Sequence, residues 1–328
     1  MSSHRRGKWE DEDASTLGHE GDDESESPTI DRPPVHPIAC MQGAFEESIL
    51  ESMEETDPTD ENANTREQGA KARRQRLLEE DGCNGSYNSQ WRKKPGAKYH
   101  PLWKLLAQIS FGVHLLNQQL AKSDEEVARI LKTHVQEVDQ FLEKTTEDFD
   151  LAVADIQERI NYLKLPLEHV NIFDIMLDDK QFRTSIVEGN EKIEKIVERT
   201  ARAMNDSLVD VEKGVEAINE LSRYLKRIGS QWTGGDEELL SIYTAMCGNS
   251  EGWLNCLKSL QEKGDSLGVA LVQLGSILNE MSKRAGVASR RSIVSPFPSL
   301  RIVAARFTAC CLLPKLTIGP ASDHCSLT

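Results

Sequence analysis

Cysteine, aromatic residues and long apolar runs are all scarce in this chain. Seven cysteines in 328 residues are too few for a disulfide-stabilised secreted domain. Aromatic residues make up 5% of the chain and charged residues 28%, which argues against two conventional compact domains despite the length. No apolar stretch reaches the roughly 18 residues of a transmembrane helix, and the charged, acidic segment from Met1 to Glu26 is not typical of a secretory signal.

Motifs that carry catalytic or metal chemistry are also absent from the sequence. It contains no glycine-rich phosphate loop, no Cys-x-x-Cys and no His-x-x-x-His spacing. Adjacent acidic residues are common, but in so acidic a chain they do not distinguish a general acid or base from a solvated helix face. We therefore expect no enzyme activity, no cofactor, no bound metal and no small-molecule substrate.

The net charge of −15 is unevenly distributed along the chain. Residues 1–100 contain 13 basic and 22 acidic residues, and residues 101–285 contain 21 and 31. Residues 286–328 reverse this balance, with five basic residues and one acidic residue. An acidic chain of this kind is not expected to bind nucleic acid.

Residues 1–100 are predicted to be disordered, because they contain few large apolar residues to offset the entropy lost on folding. Phe45, Ile49 and Met53 share one helical face, as in a linear motif that docks in a partner's groove. Transient helix in a disordered chain is the simpler interpretation of this segment.

The basic cluster at 71–76 suits nuclear import or an anionic partner, and its simpler interpretation is a solvated charge run.

A helical pattern begins near residue 100. From Leu102 onward, large apolar residues recur in alternating steps of four and three, which is the heptad spacing of coiled coils. Ser123 lies three residues before Glu126 and predicts a capping box, so a new helix is expected to begin there, with one continuous helix as the alternative. Pro166 is expected to end this first long helix.

A second long helix is predicted from Lys180 to Ile228, with Gly229 as its stop. The apolar connector at 165–179 is predicted to be a buried helical corner, so that the two long helices form an antiparallel hairpin. Asn190 falls on the apolar seam, where a polar residue can fix helix register. The predicted helix-association stripe consists of Leu131, Val138, Ile156, Leu163, Ile186, Ile193, Val197, Met204, Val211, Ile218 and Leu225.

A basic stripe on the second long helix offers a membrane hypothesis. Lys192, Lys195, Arg199 and Arg202 share one helical face, as in helical crescents that bend membranes. Glutamates interleave the stripe, so intrahelical ion pairs are the simpler account.

Three shorter helices are predicted within residues 230–285, after a turn-rich break: Asp236–Met246, Glu251–Glu262 and Asp265–Lys283. They are expected to pack back on the hairpin, or the last of them to form its third strand. Asp265 and Ser266 are possible caps of the last of these helices.

The basic tail, residues 286–328, is predicted to be disordered. Cys325 lies fourth from the end, in the frame of a prenylation signal, and Cys310 and Cys311 are candidates for acylation. Ser326 and Thr328 depart from the usual signal, and an unstructured tail without function is the rival interpretation.

The sequence therefore predicts an all-α protein: an elongated antiparallel coiled-coil hairpin or helical bundle, with long helices over 101–229 and disordered tails at both ends. Its periodicity is similar to that of BAR-type, spectrin-type and syntaxin-type bundles, a likeness that transfers no functional residue. The expected function is that of a non-enzymatic, cytoplasmic scaffold or adaptor that self-associates or binds protein partners through helix–helix contacts. The alternatives are a peripheral membrane protein, lipidated at its tail, and a nuclear location.

Overall fold

The computed structural model describes residues 34–54, 69–79, 91, 93, 96–234 and 237–294. Within these ranges the chain is all-α and contains no strand, which confirms the predicted fold class. Seven α-helices are described: α1 (Gln42–Glu54), α2 (Ala70–Glu79), α3 (Pro101–Asn117), α4 (Asp124–Glu168), α5 (Val170–Met176), α6 (Lys180–Ile228) and α7 (Glu237–Val294).

Part of the predicted disordered region is folded. The helix α1 packs on α3, with the Phe45 and Phe111 ring centroids 4.4 Å apart. The Lys104 ammonium of α3 lies 2.7 Å from the Glu47 carboxylate and 2.6 Å from that of Glu51. The prediction of disorder was wrong for α1 and α2, because their few apolar and charged side chains find partners on the later helices. The predicted disorder of the first 33 residues lies outside the described residues.

The first helical stretch is interrupted as the Ser123 signal predicts. Gln119, just after the cap residue of α3, has a φ of 54°. Few non-glycine residues adopt this left-handed conformation, which turns the chain away from the helix. The hydroxyl of Ser123 accepts a hydrogen bond of 3.2 Å from the backbone N–H of Glu126 and so caps the start of α4. The carboxylate of Glu126 pairs with Arg129.

The helix α4 continues past Pro166 to Glu168, so the prediction that this proline ends the helix was wrong by one turn. A proline removes one backbone hydrogen bond, and close to a helix end this loss is tolerated. His169 then separates α4 from the seven-residue helix α5. The helix α6 begins at Lys180, where Asp179 accepts a 2.8 Å hydrogen bond from the Phe182 N–H. Gly229 follows the last residue of α6, as predicted.

The three predicted short helices are one helix, α7, which spans 58 residues and is about 87 Å long at 1.5 Å per residue. Each glycine within α7 costs about 1 kcal/mol relative to alanine. Burial along the whole length offsets this cost, since α7 buries a row of large side chains: Met246, Trp253, Leu257, Leu260, Leu267, Leu271, Leu274, Leu278 and Met281.

The order of contacts along the helices gives their directions. Asn190, Gly214 and Ser222 of α6 lie beside Ser282, Leu257 and Ser250 of α7, so α6 and α7 are antiparallel. Asp139 and Asp150 of α4 bind Trp253 and Lys263, so α4 and α7 are parallel. The helices α4 and α6 are therefore antiparallel, as predicted.

The third long helix changes the predicted hairpin into a three-helix core. Both α4 and α6 pack mainly on α7 rather than on each other. The helices α3 and α2 each lie against both α4 and α6. At Gly214, an added Cβ would lie 3.3 Å from the Leu257 side chain and 3.4 Å from that of Leu102, so this glycine permits the close approach of α3, α6 and α7.

Candidate functional site

The predicted helix-association stripe lies in the core between the long helices. Eight of its residues are buried, and Ile193, Val197 and Met204 are half-buried against them. The chain's own helices therefore cover this stripe. Asn190, the polar seam residue, is 3% exposed, and its side-chain amide donates to the Ser282 hydroxyl at 2.8 Å and to the Leu278 carbonyl at 3.3 Å.

Large apolar side chains are instead exposed at the corner between α4 and α6. Tyr162 is 58% exposed, Leu165 50%, Ile172 60% and Ile175 71%. We call these four residues the corner surface. The prediction of a buried corner at 165–179 was wrong for Leu165, Ile172 and Ile175. The short helix α5 packs the face that carries Phe173 against the bundle and leaves its opposite face, with Ile172 and Ile175, exposed. Groups of exposed apolar side chains mark interaction sites in folded proteins.

Two buried side chains and two polar contacts hold α5 in place at the corner surface. Phe173 and Leu177 are buried beneath it, and the guanidinium of Arg183 donates to the Leu177 carbonyl at 2.6 Å. The carboxylate of Asp174 binds the guanidinium of Arg284 on α7, at 3.2 Å. These contacts hold α5 in place, so the exposed isoleucines are presented in a fixed orientation.

A cavity of about 490 Å³ lies beside the start of α3 and the middle of α6. His100 and Asp210 line it, and the imidazole Nε2 donates to the Asp210 carboxylate at 2.9 Å. Its Nδ1 accepts the backbone N–H of Leu102 at 3.2 Å. Through these two hydrogen bonds His100 caps α3 and joins it to α6.

Lys213 and Cys40 also line this cavity. Lys213 pairs with Glu216 at 2.9 Å. Burial, together with the charge of Glu220, raises the pKa of the Cys40 thiol, which disfavours the nucleophilic thiolate. Among the described residues, no group of histidine, cysteine and acidic side chains has the arrangement of a metal site.

The predicted basic cluster at 71–76 lies on α2, bound to the bundle. The guanidinium of Arg73 donates from Nε to both carboxylate oxygens of Asp148, at 3.0 and 3.2 Å. Arg74 binds the Asp155 carboxylate at 2.6 Å. Sequence reasoning missed both pairs because the partners lie 75 and 81 residues apart.

The predicted basic stripe on α6 is partly occupied by the chain itself. The guanidinium of Arg199 donates to the Leu78 carbonyl of α2 at 2.6 Å. Arg202 pairs with Glu198 at 2.7 Å, as the ion-pair account predicts. The lipidation candidates Cys310, Cys311 and Cys325 lie outside the described residues.

The buried carboxyl of Asp148 is expected to make the free energy of unfolding depend on pH. Burial raises the pKa of this carboxyl from 3.8 to about 6, although Arg73 opposes the shift. The folded state therefore holds this proton more tightly than the unfolded chain, and Asp148 contributes more stability as the pH falls from 7 toward 5. We expect wild type to gain about 1 kcal/mol relative to Asp148→Asn over this interval.

Urea denaturation of both proteins at pH 7, 6 and 5 measures this difference, and the subtraction removes the contributions of other titrating groups. A constant difference across the three pH values, or a relative loss by wild type at pH 5, would contradict the prediction.

Comparison of the chain with protein-family models, with curated proteins and with solved structures gives no significant match. Across the described residues, no helix combines the length and the apolar character needed to cross a bilayer.

Proposed function

We propose that the chain is a non-enzymatic helical adaptor that binds a protein partner through the corner surface. The observation that carries this proposal is the contrast between the two apolar surfaces of the molecule. The long helix-association stripe is covered from within the chain, whereas Tyr162, Leu165, Ile172 and Ile175 are exposed at one end of the bundle. A scaffold with this arrangement uses its long helices for rigidity and its corner for recognition. A cytoplasmic location remains part of the proposal.

The charges around the corner favour a protein partner over a membrane. Asp178 and Asp179 are exposed next to α5, and Asp174 lies within it. Lys180 and Arg183 follow them, and Asp174 is paired with Arg284, so the corner carries charges of both signs. A protein partner with an apolar centre and a polar rim complements such a surface, which offers no net positive charge to an anionic lipid surface. Membrane binding, the alternative hypothesis from the sequence, is a separate outcome of the test.

Partner binding is expected to fail in the double variant Ile172→Asp and Ile175→Asp. Both side chains are mostly exposed, so the bundle should fold normally while the apolar contact is lost. The control is Val269→Asp and Val272→Asp, which changes two exposed valines of α7. Val272, the nearer of the two to the corner, lies 12 residues, or roughly 18 Å along α7, from Arg284, which binds Asp174 of α5.

The measurement is quantitative proximity labelling in the native cell, followed by binding assays with each purified candidate. We expect the corner variant to bind the partner at least roughly tenfold more weakly than wild type and the control. Equal binding by all three would overturn the corner proposal. Co-sedimentation with neutral vesicles, lost only in the corner variant, would instead assign this surface to a membrane.

A further inference from the structure

The helix α2 differs from the rest of the bundle in what holds it. It is ten residues long, and helices of this length are marginal in isolation. Leu77 is its one buried large apolar side chain, whereas Arg73 and Arg74 form charged contacts with α4. An element held by one leucine and a few ion pairs opens at a lower free energy than helices buried along their whole length.

The contacts of α2 with α4 pair two adjacent arginines with two carboxylates, as in a site that recognises a basic helix. Asp148 and Asp155 lie seven residues apart, which places both carboxylates on one face of α4. Adjacent arginines of α2 reach one each. Arg199 of α6 donates to the Leu78 carbonyl near the end of α2, where a helix dipole favours a cation.

Asp148 is the centre of this site. Its side chain is 3% exposed, and its carboxylate is neutralised by a guanidinium from α2 rather than by a residue of α4. The Arg73 guanidinium also lies 3.3 Å from Glu147 and 3.5 Å from the Lys144 carbonyl. A planar guanidinium suits such convergent acceptors, which a lysine would not satisfy as well.

The segments that connect α2 to α1 and to α3 are long enough for α2 to leave its site. Fourteen residues, 55–68, separate the end of α1 from Gly69, and eleven, 80–90, follow Glu79 before Trp91. Because each residue of extended chain spans roughly 3.3 to 3.6 Å, both connections are long enough for α2 to leave its site while α1 and α3 stay packed.

We infer that α2 is a detachable in-cis ligand: it occupies a docking site on α4 and α6 that accepts a helical segment with two adjacent arginines and a leucine three residues later. The partner that this site fits is a basic protein helix of that pattern, which binds when it displaces α2. The basic cluster of the sequence is then the chain's own occupant of the site. This site is independent of the corner surface.

The probe is a fluorescent peptide of residues 69–80 added to the full chain. In the variant Arg73→Glu and Arg74→Glu, the resident α2 is repelled by the carboxylates and the site is open. We expect the peptide to bind this variant at least roughly tenfold more tightly than wild type, where the tethered helix competes at high effective concentration. A scrambled peptide of equal composition controls for attraction to the acidic chain.

Binding of the peptide to neither protein, or equal binding to both, would overturn the inference, provided that thermal melting shows an intact bundle. Adding Asp148→Asn and Asp155→Asn to the variant should remove the binding. Hydrogen exchange of wild type gives a second test that needs no variant. The amides of α2 should exchange faster than those of α4 around Asp148, and exchange of α2 only upon global unfolding would contradict detachment.

Discussion

The substitution Leu257→Ala is expected to lower the free energy of unfolding by about 2 to 5 kcal/mol. Leu257 is fully buried on α7 and lies 3.3 Å from the position that a Cβ on Gly214 would take. Leu102 of α3 meets the same glycine, so three helices converge at this point. A close-packed site of this kind collapses poorly around a cavity, which places the cost toward the upper part of the range.

The matched control is Leu240→Ala on the same helix. Leu240 is 42% exposed, so its truncation should cost less than about 1 kcal/mol. Urea denaturation followed by circular dichroism measures both variants. Equal costs would mean that α7 is not buried at Leu257 as described, and that the three-helix core is wrong.

The second large effect is expected for Asn190→Asp, which should cost about 3 kcal/mol or more at pH 7. The substitution preserves shape but replaces the amide that donates to the Leu278 carbonyl and the Ser282 hydroxyl. A carboxylate at this buried position would face the carbonyl oxygen without a donor to offer. The loss should shrink at lower pH, because the protonated acid recovers one donor.

Asn205→Asp provides the control, as it makes the same change at an exposed position of α6. Its cost should stay within about 0.5 kcal/mol. Thermal unfolding at pH 7 and pH 5 separates the two variants. A small cost for Asn190→Asp would show that this side chain is solvated and does not join α6 to α7.

The long helices could be predicted from sequence because their signals are local. The Ser123 cap, the heptad steps and the polar seam residue Asn190 can each be read from residues a few positions apart, and the structure has each of them. The length of α7 could not be predicted in this way. The local pattern divides this segment into three short helices, and only burial against α4 and α6 explains why one helix continues.

The functional surfaces were harder to predict than the helices. The apolar residues at 165–179 indicated burial, since sequence alone does not show which face of the short helix α5 packs on the bundle and that Ile172 and Ile175 lie on the exposed one. The pairing of Arg73 with Asp148 links residues 75 positions apart, and no periodic pattern carries such information. The basic cluster was therefore interpreted as a solvated charge run, with nuclear import or an anionic partner as the alternative, whereas the structure pairs Arg73 and Arg74 within the chain.

The central claim is that α4, α6 and α7 close their apolar seam within one chain and leave the corner for partners. Zero-length carbodiimide cross-linking tests it most directly, because Lys263 of α7 and Asp150 of α4 form a direct ion pair. The protein is mixed in equal amounts with ¹⁵N-labelled protein, unfolded and refolded together, and then cross-linked. The account predicts a Lys263–Asp150 link whose two peptides always carry the same isotope label. Mixed labels in the statistical proportion would show that the helices pair between chains, and would contradict the account.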